Sequence, residues 1–258
     1  LSGSQRPRPL ALDDYRHEAL GDVGSTNTEC LERARKGALS GLWITARRQT
    51  GGRGRRGRAW FSEPGNLYAS LLLVDAAPLD RMGSLPLAVA VAVQAAIARV
   101  MPPGGPEVAV KWPNDILVER RKVCGILLEG ETISDGRHAL VIGCGINVAV
   151  APDNPLYPAA TLRGFGVAAS PDELFAHLFQ TMAETLALWD RGEGVAAIME
   201  RWKRVAGGIG ENITVNLPDR SISGRFAGID DTGLLKLETD DGGTRLIAAG
   251  DVFLDRTF

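Results

Sequence analysis

Residues 49–60 read Gln49-Thr50-Gly51-Gly52-Arg53-Gly54-Arg55-Arg56-Gly57-Arg58-Ala59-Trp60. Gly52, Gly54 and Gly57 satisfy the G-x-G-x-x-G spacing, and Asp75 follows about 20 residues on, so a Rossmann dinucleotide site has to be weighed. It fails on the helix. Between Gly57 and Leu67 the chain carries Trp60, Pro64 and Gly65, which leaves no room for the helix whose N-terminus would hold a pyrophosphate. Walker A fails as well, since no Gly-Lys-Ser/Thr follows. What remains is a long glycine-rich loop over 51–65, between a strand at Leu42–Arg48 and a β-rich run at Leu67–Asp75. Loops of that length are uncommon unless functional. Arg53, Arg55, Arg56 and Arg58 set fixed-charge donors around mobile backbone N–H groups, which suits a polyphosphate that is enclosed and then released.

On the N-terminal side, Ser25 or Thr26 caps a short amphipathic helix that runs to Lys36 and stops at Gly37. Residues 1–14 have little periodicity and read as a leader. On the C-terminal side, Leu79–Met101 reads as a buried helix ended by Pro102, Pro103 and Gly104. Strands are expected at Val108–Trp112 and Asp115–Glu119, with Arg120 and Arg121 turning the chain into Val123–Glu129. His138–Val148 is a further strand whose parity puts Gly143, Gly145 and Asn147 on one face, a flat shelf where a ligand could approach backbone. Pro152–Pro158 is a loop, and Asp172–Trp189 and Val195–Arg204 have helical patterns. Beyond Gly207 the texture changes to short strands at Ile213–Leu217, Ser221–Ile229, Leu234–Glu238 and Thr244–Ala248, separated by Asp/Gly/Pro turns, which marks a small all-β unit and a boundary near residue 208.

The 258 residues carry 29 Lys and Arg against 31 Asp and Glu, a net charge of −2, which lacks the basic field of a nucleic-acid binder. Cys30, Cys124 and Cys144 are too widely spaced for a Cys-x-x-Cys metal site or a disulfide framework, which favours a reducing compartment, the cytoplasm. His17, His138 and His177 have no metal-ligand spacing, so no protein metal site is expected. The longest apolar stretch, Leu85–Val100, is interrupted by Gln94 and Arg99 and falls short of the roughly 20 residues of a bilayer span, so no membrane role is expected.

Six blocks together carry a resemblance: Gly24-Ser25-Thr26-Asn27; Gln49 with Gly52–Arg58 and Trp60; Gly65-Asn66-Leu67-Tyr68; Lys111-Trp112-Pro113-Asn114-Asp115; Lys122-Val123-Cys124-Gly125-Ile126-Leu127; and Gly143-Cys144-Gly145-Ile146-Asn147. In this order they resemble the biotin protein ligases, the biotin–acetyl-CoA-carboxylase ligase family. The resemblance implies an α+β fold: a mixed β-sheet flanked by helices, similar to the class II aminoacyl-tRNA synthetase catalytic domain, over residues 15–208, and a small C-terminal SH3-like β-barrel over 209–258. It implies two chemical steps. Biotin's carboxylate attacks the α-phosphate of ATP, releasing pyrophosphate, and the biotinyl-5′-adenylate then acylates a lysine of a biotin carboxyl carrier domain. Mg²⁺ is implied as the partner of ATP. Such chemistry needs positioning and charge neutralisation more than a protein nucleophile, and no convincing Ser-His-Asp or Cys-His set is present.

Carried over residue by residue, the resemblance implies biotin contacts at Ser25, Thr26, Gln49, Gly52 and Arg53, with Gly125, Gly143 and Gly145 as the pocket floor. Arg55 and Arg56 would retain the adenylate, Arg58 and Trp60 would position the nucleotide, Lys111 and Asn114 would bind ATP or the adenylate, and Asn147 would lie near the adenylate ribose or phosphate. Lys122 matches the active-site lysine, a cation for the carboxylate and α-phosphate. Asp115 would orient or deprotonate the acceptor lysine, unless it simply pairs with Lys111. Strict alternation puts Lys122 and Gly125 on opposite strand faces, so a bulge, a strand end or the lysine's reach must reconcile them. With only about 14 residues before the first expected strand, a helix-turn-helix repressor domain and DNA binding are not expected; a homodimer is left open. Two other readings remain: lipoate or octanoate transfer on the same architecture, which lacks the Gly-Arg-Gly-Arg-Arg-Gly loop, and a non-catalytic Arg-Gly nucleic-acid module.

Overall fold

A computed structural model describes residues 10–153, 158–248 and 250–254. Two sheets organise the chain. The larger is seven-stranded and mixed, and its strands are β1 (Arg16–Val23), β2 (Leu42–Gln49), β3 (Leu67–Val74), β4 (Val108–Lys111), β5 (Asp115–Val118), β6 (Arg121–Thr132) and β7 (His138–Ile146), in the spatial order β1-β2-β3-β7-β6-β5-β4. β1 and β2 are parallel, joined through helix α1 (Thr26–Arg35), and every other neighbouring pair is antiparallel. Parallel neighbours need a crossover, and the helix that Ser25 opens supplies it.

Alternation sorts the side chains between two layers. Cys30 and Ala34 of α1 pack with Leu42, Ile44, Leu72, Ala139 and Val141 on one face. The other face is covered by α2 (Leu85–Val100), α3 (Pro171–Trp189) and α4 (Val195–Val205), which bury Trp43, Leu71, Ile142 and Ile146. α3 starts on a reciprocal capping box: Glu173 N–H donates to the Ser170 hydroxyl at 3.2 Å, and Ser170 N–H donates to the Glu173 carboxylate at 2.7 Å. The helical run that begins with a 3₁₀ turn at Leu79–Ser84 and continues through α2 matches the helix expected at Leu79–Met101 and, unlike the Leu85–Val100 stretch alone, is long and apolar enough to cross a bilayer by length and composition. Ten of the sixteen α2 residues are buried between the sheet and the other helices, which makes it the core helix of this fold.

The C-terminal sheet has five antiparallel strands, β8 (Asn212–Asn216), β9 (Ser221–Ile229), β10 (Leu235–Glu238), β11 (Thr244–Ile247) and β12 (Asp251–Leu254), in the order β11-β10-β9-β8-β12. β12 escapes the sequence reading: four residues without turn signals on both sides give no periodic pattern. Its partner is β8, and Val252 is buried there. Ile213, Val215, Phe226 and Leu235 join the same apolar core as α2, and Trp112 donates its indole N–H to the Gly233 carbonyl at 3.2 Å, so the second sheet is packed onto the first unit.

Two local corrections matter for the site. The β5–β6 hairpin turns at Glu119-Arg120, both at positive φ (48° and 60°), and Arg121 already pairs with Val118, one residue earlier than the sequence suggests. Two positive-φ residues match the right-handed twist of a two-residue hairpin, normally the work of Asn-Gly, which is why Glu-Arg gave no signal. Of the expected leader, residues 1–9 lie outside the described residues, while Leu12–Asp14 forms a 3₁₀ turn into β1; residues 154–157 of the Pro152–Pro158 loop lie outside them as well.

Candidate functional site

The floor of the site is one row of cross-strand partners: Asp115 on β5 faces Gly125 on β6, Gly125 faces Gly145 on β7, and Gly145 faces Tyr68 on β3. Between β5 and β6 the register slips, with Ile116 opposite Cys124 and Leu117 opposite Lys122, so Val123 is an extra residue. That bulge cancels the alternation that would separate Lys122 from Gly125. Both face the cavity, and the Lys122 Cε lies 3.4 Å from where a Gly125 Cβ would be. The Lys122 backbone is held from the far side, its N–H donating to the Pro158 carbonyl at 2.7 Å and its carbonyl accepting from Ala160 at 3.0 Å.

The cavity above this row has a volume of about 320 Å³. Its glycines are close-approach positions rather than open shelf. Trp60 lies flat over Gly125 and Gly145: a Cβ on Gly145 would come within 2.6 Å of the indole Cε2, and one on Gly125 within 2.8 Å of Cζ3. A Cβ on Gly143 would strike the Asn27 carboxamide, with Cγ 2.9 Å away. The expected glycine floor is therefore the seat of two protein side chains. Among the described residues the buried Trp60 indole N–H has no hydrogen-bond partner, a donor left for a ligand or a water.

One end of the cavity is neutral and polar. The Gln49 Oε1 accepts from the Thr26 N–H at 2.9 Å and from the Thr26 hydroxyl at 3.1 Å, and the Gln49 Nε2 donates to Ser62 at 3.1 Å. The Ser70 hydroxyl lies 2.7 Å from Thr26 Oγ1 and 2.6 Å from Asn27 Oδ1, and the Asn27 Nδ2 donates to Glu129 at 2.7 Å. Glu129 in turn clamps Arg53 through two parallel contacts of 2.9 and 3.0 Å, while Arg53 also donates to Thr28 at 3.1 Å. The buried Ser25 hydroxyl makes no hydrogen bond among the described residues and borders the cavity. The outcome is a fixed hydroxyl and amide set with the Ser25 hydroxyl at the cavity wall.

The other end is cationic. Lys122 Nζ is 2.6 Å from Asp115 Oδ1 and Lys111 Nζ is 3.9 Å from Asp115 Oδ2, so the aspartate bridges two lysines rather than pairing with Lys111 alone. Burial pushes the Lys111 ammonium below the ordinary lysine range, and the Asp115 carboxylate opposes that shift. Lys122 Nζ also stands 5.3 Å from the Trp60 ring centroid. Asn114 joins the two parts of the site: its Nδ2 donates to the Ile126 carbonyl at 2.6 Å, and its Oδ1 accepts from Arg55 at 3.0 Å. Asn147 lines the cavity with its backbone N–H on Val123 at 2.8 Å and its Nδ2 on the Ala160 carbonyl at 3.3 Å.

The arginine loop is a small hairpin, with Arg53 bridged to Ala59, Gly54 N–H on the Arg58 carbonyl at 2.7 Å, and Arg55–Gly57 as a 3₁₀ tip. Its tip reaches β12 of the second sheet. Arg55 donates to the Gly250 carbonyl at 3.3 Å, Arg56 pairs with Asp251 at 3.0 Å, and Arg58 pairs with Asp251 at 2.8 Å.

Fifteen of the residues expected from sequence line this one cavity; Gly52 and Arg56 do not. Gly52 is structural here, since a Cβ would meet Ser62 Oγ at 2.5 Å and the Trp60 carbonyl at 3.0 Å. Arg56 is half exposed at positive φ and turned to Asp251. Sequence reading missed Ser70, Glu129 and Asp251, and quoted Asn27 without giving it a task. Glu129 stands two residues beyond the Lys122–Leu127 block and could have been caught as an acid in an apolar strand; Asp251 is 195 positions from Arg56 and carried no signal. Among the described residues no group of three or more His, Cys, Asp or Glu converges, and the only two carboxylates at the cavity, Asp115 and Asp251, are each held by two cations. The described residues thus offer no preformed cage, which fits magnesium as an ion that would arrive with a nucleotide substrate.

A mixed sheet that seats a polar pocket beside two lysines, under an arginine hairpin that reaches a second β unit, defines a two-sheet α+β protein with a cavity where the hairpin meets the sheet. A family model described as the biotin/lipoate A/B protein ligase family matches residues 22–147, and one described as the biotin protein ligase C-terminal domain matches residues 208–255. The biotin–[acetyl-CoA-carboxylase] ligase of Paracoccus denitrificans is 36% identical over 240 residues, covering 91% of this chain and 98% of that protein. Its counterpart in Mycobacterium tuberculosis is 33% identical over 242 residues, covering 91% and 87%. The biotin protein ligase of Aquifex aeolicus in complex with biotin and ATP superposes with a TM-score of 0.78 at 28% identity, over 94% of this chain and 99% of that one. The chain belongs to the biotin protein ligase family.

Proposed function

We propose that the chain activates biotin with ATP in the cavity between the glycine row and the arginine hairpin, and passes it to a lysine of a biotin carboxyl carrier protein. It is an ATP-dependent biotin ligase: the relatives named biotin–[acetyl-CoA-carboxylase] ligase and the superposition on a biotin and ATP complex carry that reading. The observation that supports a site assignment is the meeting, in one cavity, of the hydroxyl and amide set at Ser25, Thr26 and Gln49 with the cations Lys111, Lys122, Arg55 and Arg58. The first suits biotin's fused ring and the second suits a carboxylate attacking a phosphate.

In this reading Ser25 and the Thr26–Gln49 pair orient the ureido ring, with Arg53 acting through Glu129 and Asn27 as a strut for that end. Lys122 neutralises charge on the biotin carboxylate and the α-phosphate as the new bond forms and pyrophosphate leaves, the type of preorganised electrostatic help that lowers such barriers most. Trp60 and Asn147 border the nucleotide, Lys111 and Asn114 its phosphates, and Arg55 and Arg58 the adenylate; Arg56 acts from outside the cavity. Asp115 orients Lys122 and is the carboxylate nearest to receive the acceptor lysine's proton. Residues 15–208 are the catalytic domain and 209–258 the C-terminal domain of this proposal, and the three buried thiols favour the cytoplasm.

The test is to incubate the protein with Mg-ATP and biotin, lipoate or octanoate in parallel, following pyrophosphate release and acyl-adenylate by mass spectrometry. Adenylate from biotin alone is expected. Product from lipoate or octanoate instead would keep the fold and overturn the substrate.

A further inference from the structure

The arginine hairpin is held shut from the other sheet. Asp251 presents one carboxylate oxygen to each of two guanidinium groups, Oδ2 to Arg56 at 3.0 Å and Oδ1 to Arg58 at 2.8 Å. The exposures are unequal: the Asp251 side chain is 15% exposed, against 41% for Arg56 and 37% for Arg58. Asp251 opens β12, whose four residues pair with β8 and whose Val252 sits in the apolar core, so the carboxylate stands on a fixed platform. The arginines stand on a short hairpin with Arg56 at φ 57° and Gly57 at φ 71°. The fixed partner is thus the carboxylate and the movable one is the loop. A single negative charge shared by two arginines leaves the tip net positive, able to face a phosphate at the same time.

We propose that Asp251 is a positioning residue: its carboxylate latches the tip of the arginine hairpin over the cavity, and through Arg58 and the neighbouring Arg55 it governs how long the acyl-adenylate stays bound. The role in retention rests on the ligase reading above; the latch itself does not. Asp251 touches neither reacting atom in this account, and acts through the arginines it holds. It also gives the C-terminal sheet a defined task in the reaction, since Gly250 and Asp251 at its edge both hold the tip.

Limited trypsin digestion of the ligand-free, full chain reads the latch directly, because Arg55, Arg56 and Arg58 are themselves cleavage sites. Asp251→Asn keeps the shape and removes the charge, and is expected to speed nicking at 55–58 about fivefold, with cleavage after Lys203 and Arg220 unchanged. Asp251→Glu should bring the rate back toward that of the parent. In the second measurement, protein loaded with biotin and Mg-ATP is separated from free ligand and chased. Asp251→Asn is expected to release biotinyl-adenylate about fivefold faster than the parent, with more labelling of bystander lysines. Nicking and release equal to the parent's would overturn the proposal. If Asp251→Asn is cleaved faster everywhere, the Arg56→Gln, Arg58→Gln double variant cuts the same contacts from the loop side, and unchanged release there overturns the latch. A parent chain that forms no adenylate defeats the ligase reading, while the nicking comparison still decides the latch.

Discussion

The ammonium of Lys122 lies 2.6 Å from the carboxylate of Asp115, across the one place where the β5–β6 ladder carries an extra residue. Without Val123 as that extra residue, Lys122 would point to the helix-covered face and the site would lose its central cation. Lys122→Gln is therefore expected to lower the rate of biotin-dependent pyrophosphate release by about 10²- to 10³-fold with little effect on folding. Asp115→Asn should cost about tenfold in the same step, through loss of lysine orientation, and more in transfer to the carrier. A Lys122→Gln enzyme within threefold of the parent would remove the assignment.

Gly145 is required by the indole above it rather than by backbone freedom. A methyl group there would come within 2.6 Å of Trp60 Cε2, and the cheapest relief is to lift the indole off the sheet. Gly145→Ala should retain its Tm within a few degrees yet raise the KM for nucleotide about tenfold or more, because displacement of a positioning group by about an ångström is costly. Trp60 fluorescence in the ligand-free protein should report the same displacement.

Asn66, quoted in one of the sequence blocks but given no task there, holds the turn after β7. Its Oδ1 accepts from the N–H groups of Val148, Ala149 and Val150 at 2.9, 3.0 and 3.0 Å, and its Nδ2 donates to the Val150 carbonyl at 2.8 Å. Asn66→Ala would leave three N–H donors without their acceptor at once, that of the buried Val148 among them. We expect a loss of about 2–4 kcal/mol in urea unfolding, with the m-value unchanged.

The thiols give a pH signature. Burial raises Cys30 and Cys144 to about 12 and Cys124 well above its ordinary value. The unfolded thiols ionise near 8.5. Above that pH the unfolded chain releases protons that the folded chain keeps, so this contribution to stability is complete below about 8.5 and is lost as pH rises toward 12. Tm should fall steadily between pH 8.5 and 10, and a thiol reagent at pH 8 should leave the native protein unlabelled while modifying all three cysteines in urea. Rapid labelling of the native chain would contradict the burial.

Much of the molecule was legible in the sequence because its signals are local. Ser25 followed by a helical apolar pattern determines α1, the alternation in His138–Val148 determines β7, and the six ordered blocks determine the biotin ligase family and most of the residues at the cavity. Local signals end at turns made from unusual residues, as at Glu119-Arg120, and at strands as short as β12. What only the tertiary structure decided are relations between distant segments. The register slip that turns Lys122 toward the site, the seating of Trp60 and Asn27 on the glycines, the strut from Glu129 to Arg53, and the hold of Asp251 on Arg56 and Arg58 all join charges or surfaces that chain order keeps apart. Periodicity reports which face of an element is apolar, but a hydrogen bond or an ion pair depends on position within a few tenths of an ångström, and only the packed core fixes that.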